Sequence, residues 1–368
     1  MQRVCPPSLY LSFGHREIRQ SLYPAPTVES FDVVVVGVGV MGAATGRALA
    51  RAGKKVAMLE RFDIGHKRGS SHGSARIFRF SYRDPQYVAM AQEALPLWRE
   101  LEHESGGSLL TPTGGIDAGP AVPEHAAALQ SCGARFELLQ GAEVNARFPG
   151  LTLADDEPAL FQPDTAVVAA EDSWRTMVAS AVGAGADLRE NTRVTEVVPR
   201  SGGAEVVAGG VRLSTETVVV TTGAWARSLL APVGIDLDVV PTRETVAYFR
   251  TTTQAPVLVA WTDPAFYALP TSEGIKAGHH IAGPPADPDE EGSPDPGAVA
   301  RLSEGVAASF AGVEPEPHLV ETCFYTNTPD EHFVLERHGP VVVGSPCSGH
   351  GFKFAPLIGA RLAELCGV

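Results

Sequence analysis

The sequence predicts an α/β protein with one lobe built on a mostly parallel βαβ sheet and a discontinuous α+β lobe built on an antiparallel sheet. Two observations carry this reading. Phe31 to Val36 is an apolar, β-branched run of the kind a buried parallel strand needs, and Gly37-Val38-Gly39-Val40-Met41-Gly42 follows it, then a helical stretch to Ala52. From Val239 to Tyr267 the texture changes to repeated short strands, which fits antiparallel pairing.

A strand, a GxGxxG turn and a helix in that order form the context a dinucleotide site requires. Gly37 permits the tight turn, Gly39 admits a pyrophosphate against the backbone, and Gly42 lets the helix pack on the sheet with its N-terminal dipole towards the phosphates. Lys55 to Leu59 supplies the second strand. Glu60, at its end, is placed to accept hydrogen bonds from an adenosine ribose, and an acid there selects a free 2′-hydroxyl over a 2′-phosphate.

The rest of the chain is divided between the lobes. Residues 30–82, 150–230 and 328–368 are expected to form the cofactor domain, and 83–149 with 231–327 the substrate domain. Residues 1–29, with four prolines and no long apolar run, read as a disordered extension or a start site placed too early. Helices are expected over Glu93 to Glu104, Ser173 to Ala184 and Phe354 to Cys366, with strand material at Ala186 to Val198 and Val218 to Thr222. The last of these strands leads into Gly223-Ala224-Trp225, a second place where backbone can approach a cofactor. Pro284 to Pro296, rich in Pro, Asp and Glu, reads as a solvated loop.

Composition sets limits on partners. In 368 residues, 29 basic side chains against 43 acidic ones give a net charge of −14, which disfavours nucleic acid and anionic membrane surfaces. No apolar run is long enough to span a bilayer. The five cysteines, Cys5, Cys132, Cys323, Cys347 and Cys366, show no metal-ligand spacing, and their odd number points to a reducing cytoplasm.

Six segments in order resemble the monomeric sarcosine oxidase and N-methyltryptophan oxidase family, within the D-amino-acid-oxidase-like flavoproteins. They are the GxGxxG turn with Glu60; Gly69-Ser-Ser-His-Gly-Ser-Ala-Arg-Ile-Phe-Arg79; Tyr267-Ala-Leu-Pro270; Lys276-Ala-Gly-His-His280; the run from Cys323 through Thr-Pro-Asp-Glu-His-Phe333; and Ser348-Gly-His-Gly-Phe-Lys353. The likeness runs from about Phe31 to Leu365. It departs at Ala75, where several family members carry threonine, and in a slightly short Pro270–Lys276 loop, two changes that bear on substrate identity.

The resemblance implies an FAD-dependent oxidase of secondary amino acids, with FAD attached covalently through Cys323, acting as a cytoplasmic monomer on a small amino acid and dioxygen. It gives Arg79 and Lys353 the substrate carboxylate, a fork and a point charge respectively. Arg76 lies by the flavin ring, on the same face as Arg79 if the segment is helical. Lys276 sits near flavin N5, where a positive charge assists oxygen reduction. His280 and Tyr267 line the substrate cavity, and Tyr325 falls with them. The cofactor set takes in Gly37, Gly39, Met41, Gly42, Glu60, Arg61, Ser70, Ser71, His72, Val194, Gly223, Trp225, Gly349, Gly351, Phe352 and Lys353. Ser70, Ser71 and His72 read equally as polar loop residues, and Cys347 as a packing residue. Two other readings stay open: a flavin dehydrogenase with another electron acceptor, and a flavoprotein without activity.

Overall fold

The computed structural model describes residues 28–368 and contains both expected sheets. The extension foreseen over 1–29 lies outside the described residues except for Val28 and Glu29, and Glu29 opens the first strand.

The first sheet is centred on Glu29–Val36, which pairs in parallel with Val56–Leu59 on one side and Val211–Val220 on the other. Its residues Val33 to Val36 are buried, as a strand covered on both faces must be. Asp187–Arg189 continues the sheet beyond Val56–Leu59. Val211–Val220 changes partner along its length. Its first residues pair antiparallel with Gly203–Ala208, and Val218 to Val220 run parallel to Val341 to Val343.

Helices Val40–Arg51, Ala170–Gly183 and Ala355–Leu365 pack on one face of this sheet. The first and last of them cross where Gly359 meets Ala44. A Cβ on Gly359 would stand 2.5 Å from the Ala44 carbonyl carbon, so only hydrogen fits. Helix Pro85–Ser105 begins earlier than the expected Glu93 because the Asp84 carboxylate accepts from the Gln86 N–H (2.8 Å) and Pro85 suits the first turn. It ends at Gly106, in the left-handed region. Its Trp98 is fully buried and donates its indole N–H to the Lys353 carbonyl (2.7 Å), fixing that lysine's backbone.

The second sheet has eight strands in the order Leu319–Asn327, Val240–Phe249, Gly274–His279, Phe266–Thr271, Val257–Ala260, Gly115–Ala118, Pro158–Gln162 and Glu137–Gln140. All neighbours are antiparallel except Val257–Ala260 with Gly115–Ala118. Leu302 and Val306 of helix Pro296–Ser309 cover one face, against Phe249, Leu258, Phe266 and Ile275.

Two expectations need correction. Pro158–Gln162, assigned by sequence to the cofactor domain, is a strand of the second sheet; a short apolar run does not say which sheet it joins. The Arg76 segment is not a helical turn but the strand Ala75–Phe78, paired with Ala166–Ala169 in a three-stranded sheet that Leu110–Pro112 completes. Ala75, Val167, Val257, Val259 and Leu269 form an apolar cluster that fixes this small sheet to the second one. Among the described residues, no helix is long and apolar enough to cross a membrane.

Candidate active site

A cavity of about 1050 Å³ is lined by residues of both large sheets. At one end is the glycine turn. Gly37 has φ +85°, and a Cβ there would meet the Thr221 carbonyl oxygen at 2.8 Å; a Cβ on Gly42 would lie 1.9 Å from the Gly37 oxygen. Glu60 fastens the turn, its carboxylate accepting from the N–H groups of Val38 (2.8 Å) and Phe62 (3.1 Å). Burial raises the Glu60 pKa, against the lowering effect of those N–H donors. Trp174 donates its indole N–H to the Val38 carbonyl (2.6 Å), and Ser71 Oγ accepts from the Val40 N–H (2.9 Å).

Arg61, Val194, Gly223 and Trp225 continue this end of the wall. The Pro284–Pro296 loop is mostly exposed, as expected, yet it is not loose. Asp289 accepts from Trp225 Nε1 (2.8 Å) and pairs with Arg61 (2.5 Å), tying the loop across the cavity's edge. An unencumbered backbone turn at a helix N-terminus beside a held carboxylate is the surface that a pyrophosphate and its ribose need, so these residues fit a dinucleotide cofactor.

The other end gathers cations. Lys276, 4% exposed, donates to the Ala75 carbonyl (3.1 Å). Burial, and then the charge of Arg76, bring its pKa down to about 7. Arg76 donates to the carbonyls of Ser70 (2.8 Å), His72 (2.7 Å) and Ala75 (2.9 Å), holding the loop 70–75 in place. Ser70 Oγ in turn donates to the Phe324 carbonyl (2.5 Å), next to Cys323. Cys323 is half-buried and lies opposite Glu244 in the sheet. Burial raises its thiol pKa, while Arg76 and Lys276 pull it down.

Arg79 and Lys353 meet at Tyr82. The guanidinium carbon lies 4.6 Å, and the lysine Nζ 5.4 Å, from the centre of that ring. Lys353 Nζ donates to Tyr82 OH (2.8 Å) and to the His350 carbonyl (2.9 Å). Burial, then the Arg79 charge, holds its pKa well below that of a free lysine. Tyr267 reaches over Gly278 to within 3.5 Å of Tyr325 OH, and His280 Nε2 is 3.0 Å from the Glu331 carboxylate. Gly349, Gly351 and Phe352 complete the wall. Of the residues singled out from sequence, only Gly42 and His72 are not on it. Gly42 acts through the helix packing above. His72 is enclosed behind Arg76 with neither ring nitrogen partnered among the described residues, and burial, then the Arg76 charge, lowers its pKa to about 4. Cys347 Sγ accepts from the Thr326 N–H (3.2 Å).

Residues 32–365 match the family model described as FAD dependent oxidoreductase. The chain belongs to that family. The peroxisomal sarcosine oxidase of Homo sapiens is 34% identical over 360 residues, covering 91% of this chain and 92% of that protein. The monomeric sarcosine oxidase of Bacillus sp. (strain B-0618) is 31% identical over 357 residues, with coverage of 91% and 92%. The solved structure of NikD, described as an unusual amino acid oxidase essential for nikkomycin biosynthesis, superposes with a TM-score of 0.84 at 29% identity. It covers 92% of this chain and 94% of that one.

This FAD-dependent oxidoreductase also has site residues that the sequence reading passed over. Asp117, 2% exposed on Gly115–Ala118, accepts from Trp261 Nε1 (2.9 Å) and lies 3.7 Å from Arg79 Nη1 and 3.8 Å from His125 Nδ1. Burial raises its pKa and the Arg79 charge lowers it. Arg79 also donates to the Ser81 carbonyl and lies 5.2 Å from the Trp261 ring centre. The one available signal was a lone acid within the otherwise apolar Gly-Ile-Asp-Ala strand.

Proposed function

We propose that this protein oxidises secondary amino acids, N-methyl or cyclic, using FAD and dioxygen, and releases an imine and hydrogen peroxide. The observation that carries the reading is the pairing of partly buried Arg79 with buried Lys353 in one cavity with Lys276 and Cys323. In a chain of net charge −14, that pair is a local reversal of potential suited to a carboxylate. The names of the sarcosine oxidase relatives agree with it.

When bound, FAD supplies the two-electron acceptor and the route of those electrons to dioxygen. The chain's own residues do the rest. Arg79 and Lys353 hold the substrate carboxylate, and Tyr82 sets the spacing between them. Tyr267 and His280 flank the amine, with Glu331 holding His280. Arg76 tunes the cofactor ring and keeps the loop 70–75 against it. Lys276, as its ammonium, stabilises negative charge developing on oxygen. Cys323 is our candidate for covalent attachment, with Arg76 and Lys276 favouring the thiolate that attachment needs. We infer a monomer, in line with the name of the Bacillus relative.

The test is to mix the enzyme anaerobically with N-methyl and cyclic amino acids, follow loss of the yellow absorbance, then admit oxygen and assay peroxide. Bleaching, recolouring and peroxide are expected. Bleaching without peroxide would replace the oxidase by a dehydrogenase, and no bleaching by any amino acid would remove the substrate class.

A further inference from the structure

Residues of both large sheets line the cavity, and at its dinucleotide end the Asp289 carboxylate reaches from one lobe to the other. The 284–296 loop follows strand Gly274–His279 of the second sheet and is fastened along Val240–Phe249 of the same sheet. The Arg243 N–H donates to the Pro284 carbonyl (3.0 Å), the Ala286 N–H to the Pro241 carbonyl (3.0 Å) and the Arg243 guanidinium to the Glu290 carbonyl (2.8 Å). At the far end the Asp295 N–H donates to Thr245 Oγ1 (3.0 Å). Asp287 Oδ1 accepts from the Asp289 N–H (2.8 Å), a local turn that sets the Asp289 backbone. The loop is therefore a fixed arm of the second sheet.

The partners of the Asp289 side chain belong to the other lobe. Arg61 directly follows Glu60 at the end of Val56–Leu59, Trp225 lies beyond the end of Val211–Val220, and both line the cavity. One Asp289 oxygen accepts from Trp225 Nε1 and from Arg61, whose guanidinium carbon is 5.6 Å from the Trp225 ring centre and 5.0 Å from that of Phe62. Those two donors, Trp225 first, hold the Asp289 carboxyl below the usual carboxylate range. Glu291 adds a looser tie to Arg68 (3.2 Å), its own side chain being 88% exposed. The loop's composition requires none of these contacts, yet they gather on residues beside the candidate ribose acceptor.

We propose that Asp289 is a latch over the adenosine end of the bound FAD. By bridging the lobes through Arg61 and Trp225 it keeps the cofactor's adenylate half enclosed, and that half leaves only when the bridge opens. The proposal rests on membership of the FAD-dependent family and on the ribose position expected at Glu60, not on the oxidase reading. The bridge is partly open to water, with the Asp289 side chain 47% and that of Arg61 27% exposed, so salt weakens it.

The experiment uses holoenzymes of wild type, Asp289→Ala and Asp289→Asn with Cys323 intact. Each is incubated with a phosphodiesterase that cuts the FAD pyrophosphate, at low salt and at about 0.5 M NaCl. Adenylate passing an ultrafilter is measured, whether as AMP or as whole FAD, so the readout serves whether or not Cys323 holds the flavin ring. Free FAD under the same conditions corrects for the effect of salt on the phosphodiesterase, and unfolding rates are read in parallel by near-ultraviolet circular dichroism. Asp289→Ala is expected to lose adenylate about tenfold faster than wild type at low salt, with no further gain from salt. Wild type is expected to approach that rate in high salt. Asp289→Asn, which keeps an acceptor for Trp225 but not the charge, is expected to fall between. Equal protection of wild type and Asp289→Ala at both salts overturns the latch. So does a loss in Asp289→Ala that matches its global unfolding rate, the signature of a merely structural contact. Wild type that loses adenylate as fast as free FAD is cut would show that the adenosine end is open in the native protein, and would overturn the latch as well.

Discussion

Asp117 lies 3.7 Å from the guanidinium of Arg79, although Asp117 belongs to the second sheet and Arg79 follows a strand of the small three-stranded one. The acid fixes the orientation of the cation proposed above to hold the substrate carboxylate. Asp117→Ala removes that hold and the Trp261 hydrogen bond together. The expected outcome is a KM for the amino acid raised about tenfold, and a stability loss of about 3 kcal/mol in chemical denaturation, the cost of leaving a buried charge unpaired.

Cys323→Ser removes the proposed attachment but keeps the cavity wall. The variant is expected to purify yellow and to release its flavin into the supernatant on acid precipitation, where the wild-type colour stays in the pellet. Colour in the supernatant for both proteins would assign Cys323 a packing role.

Lys276→Met is expected to cut the rate of reoxidation by dioxygen about 100-fold, since a preorganised charge facing developing negative charge is lost. Anaerobic reduction by substrate should survive. The ammonium form of Lys276 predominates below a pKa of about 7. Wild-type reoxidation is therefore fastest at low pH and falls as pH rises through that value. In Lys276→Arg the charge persists, and the profile flattens.

Gly42→Ala places a methyl group 1.9 Å from the Gly37 carbonyl oxygen. Helix and turn must then separate, at a cost of about 1–3 kcal/mol. The expected product is a chain with wild-type circular dichroism that purifies without flavin. Full flavin content would show that the turn tolerates the displacement.

The glycine turn and Glu60 were legible because their meaning is local: six residues and one strand fix where each side chain goes. The cation end was read only in part. Arg79, Lys353 and Lys276 were found through segments resembling a family, yet Arg76 was read against a helical turn because arginines three apart suit a helical face, a spacing that does not forbid a strand. Asp117 and Trp261 were passed over for a common reason. Each is a single polar or aromatic residue in a strand or at its edge, and its partners are set by which strands pair, a long-range outcome that no short window of sequence contains. Asp289 illustrates the same limit in a loop: its composition says exposed, but its contacts with Arg61 and Trp225 come from the sheet that carries the loop there.

The close crossing of helices Val40–Arg51 and Ala355–Leu365 at Ala44 and Gly359 bears on how the protein is made. During translation the glycine turn leaves the ribosome early, but the elements that close the site around it, Cys323, Lys353 and the helix after Lys353, emerge hundreds of residues later. The nascent chain therefore carries helix Val40–Arg51 without its last packing partner, and the glycine turn without the far wall of its cavity, until synthesis is nearly complete.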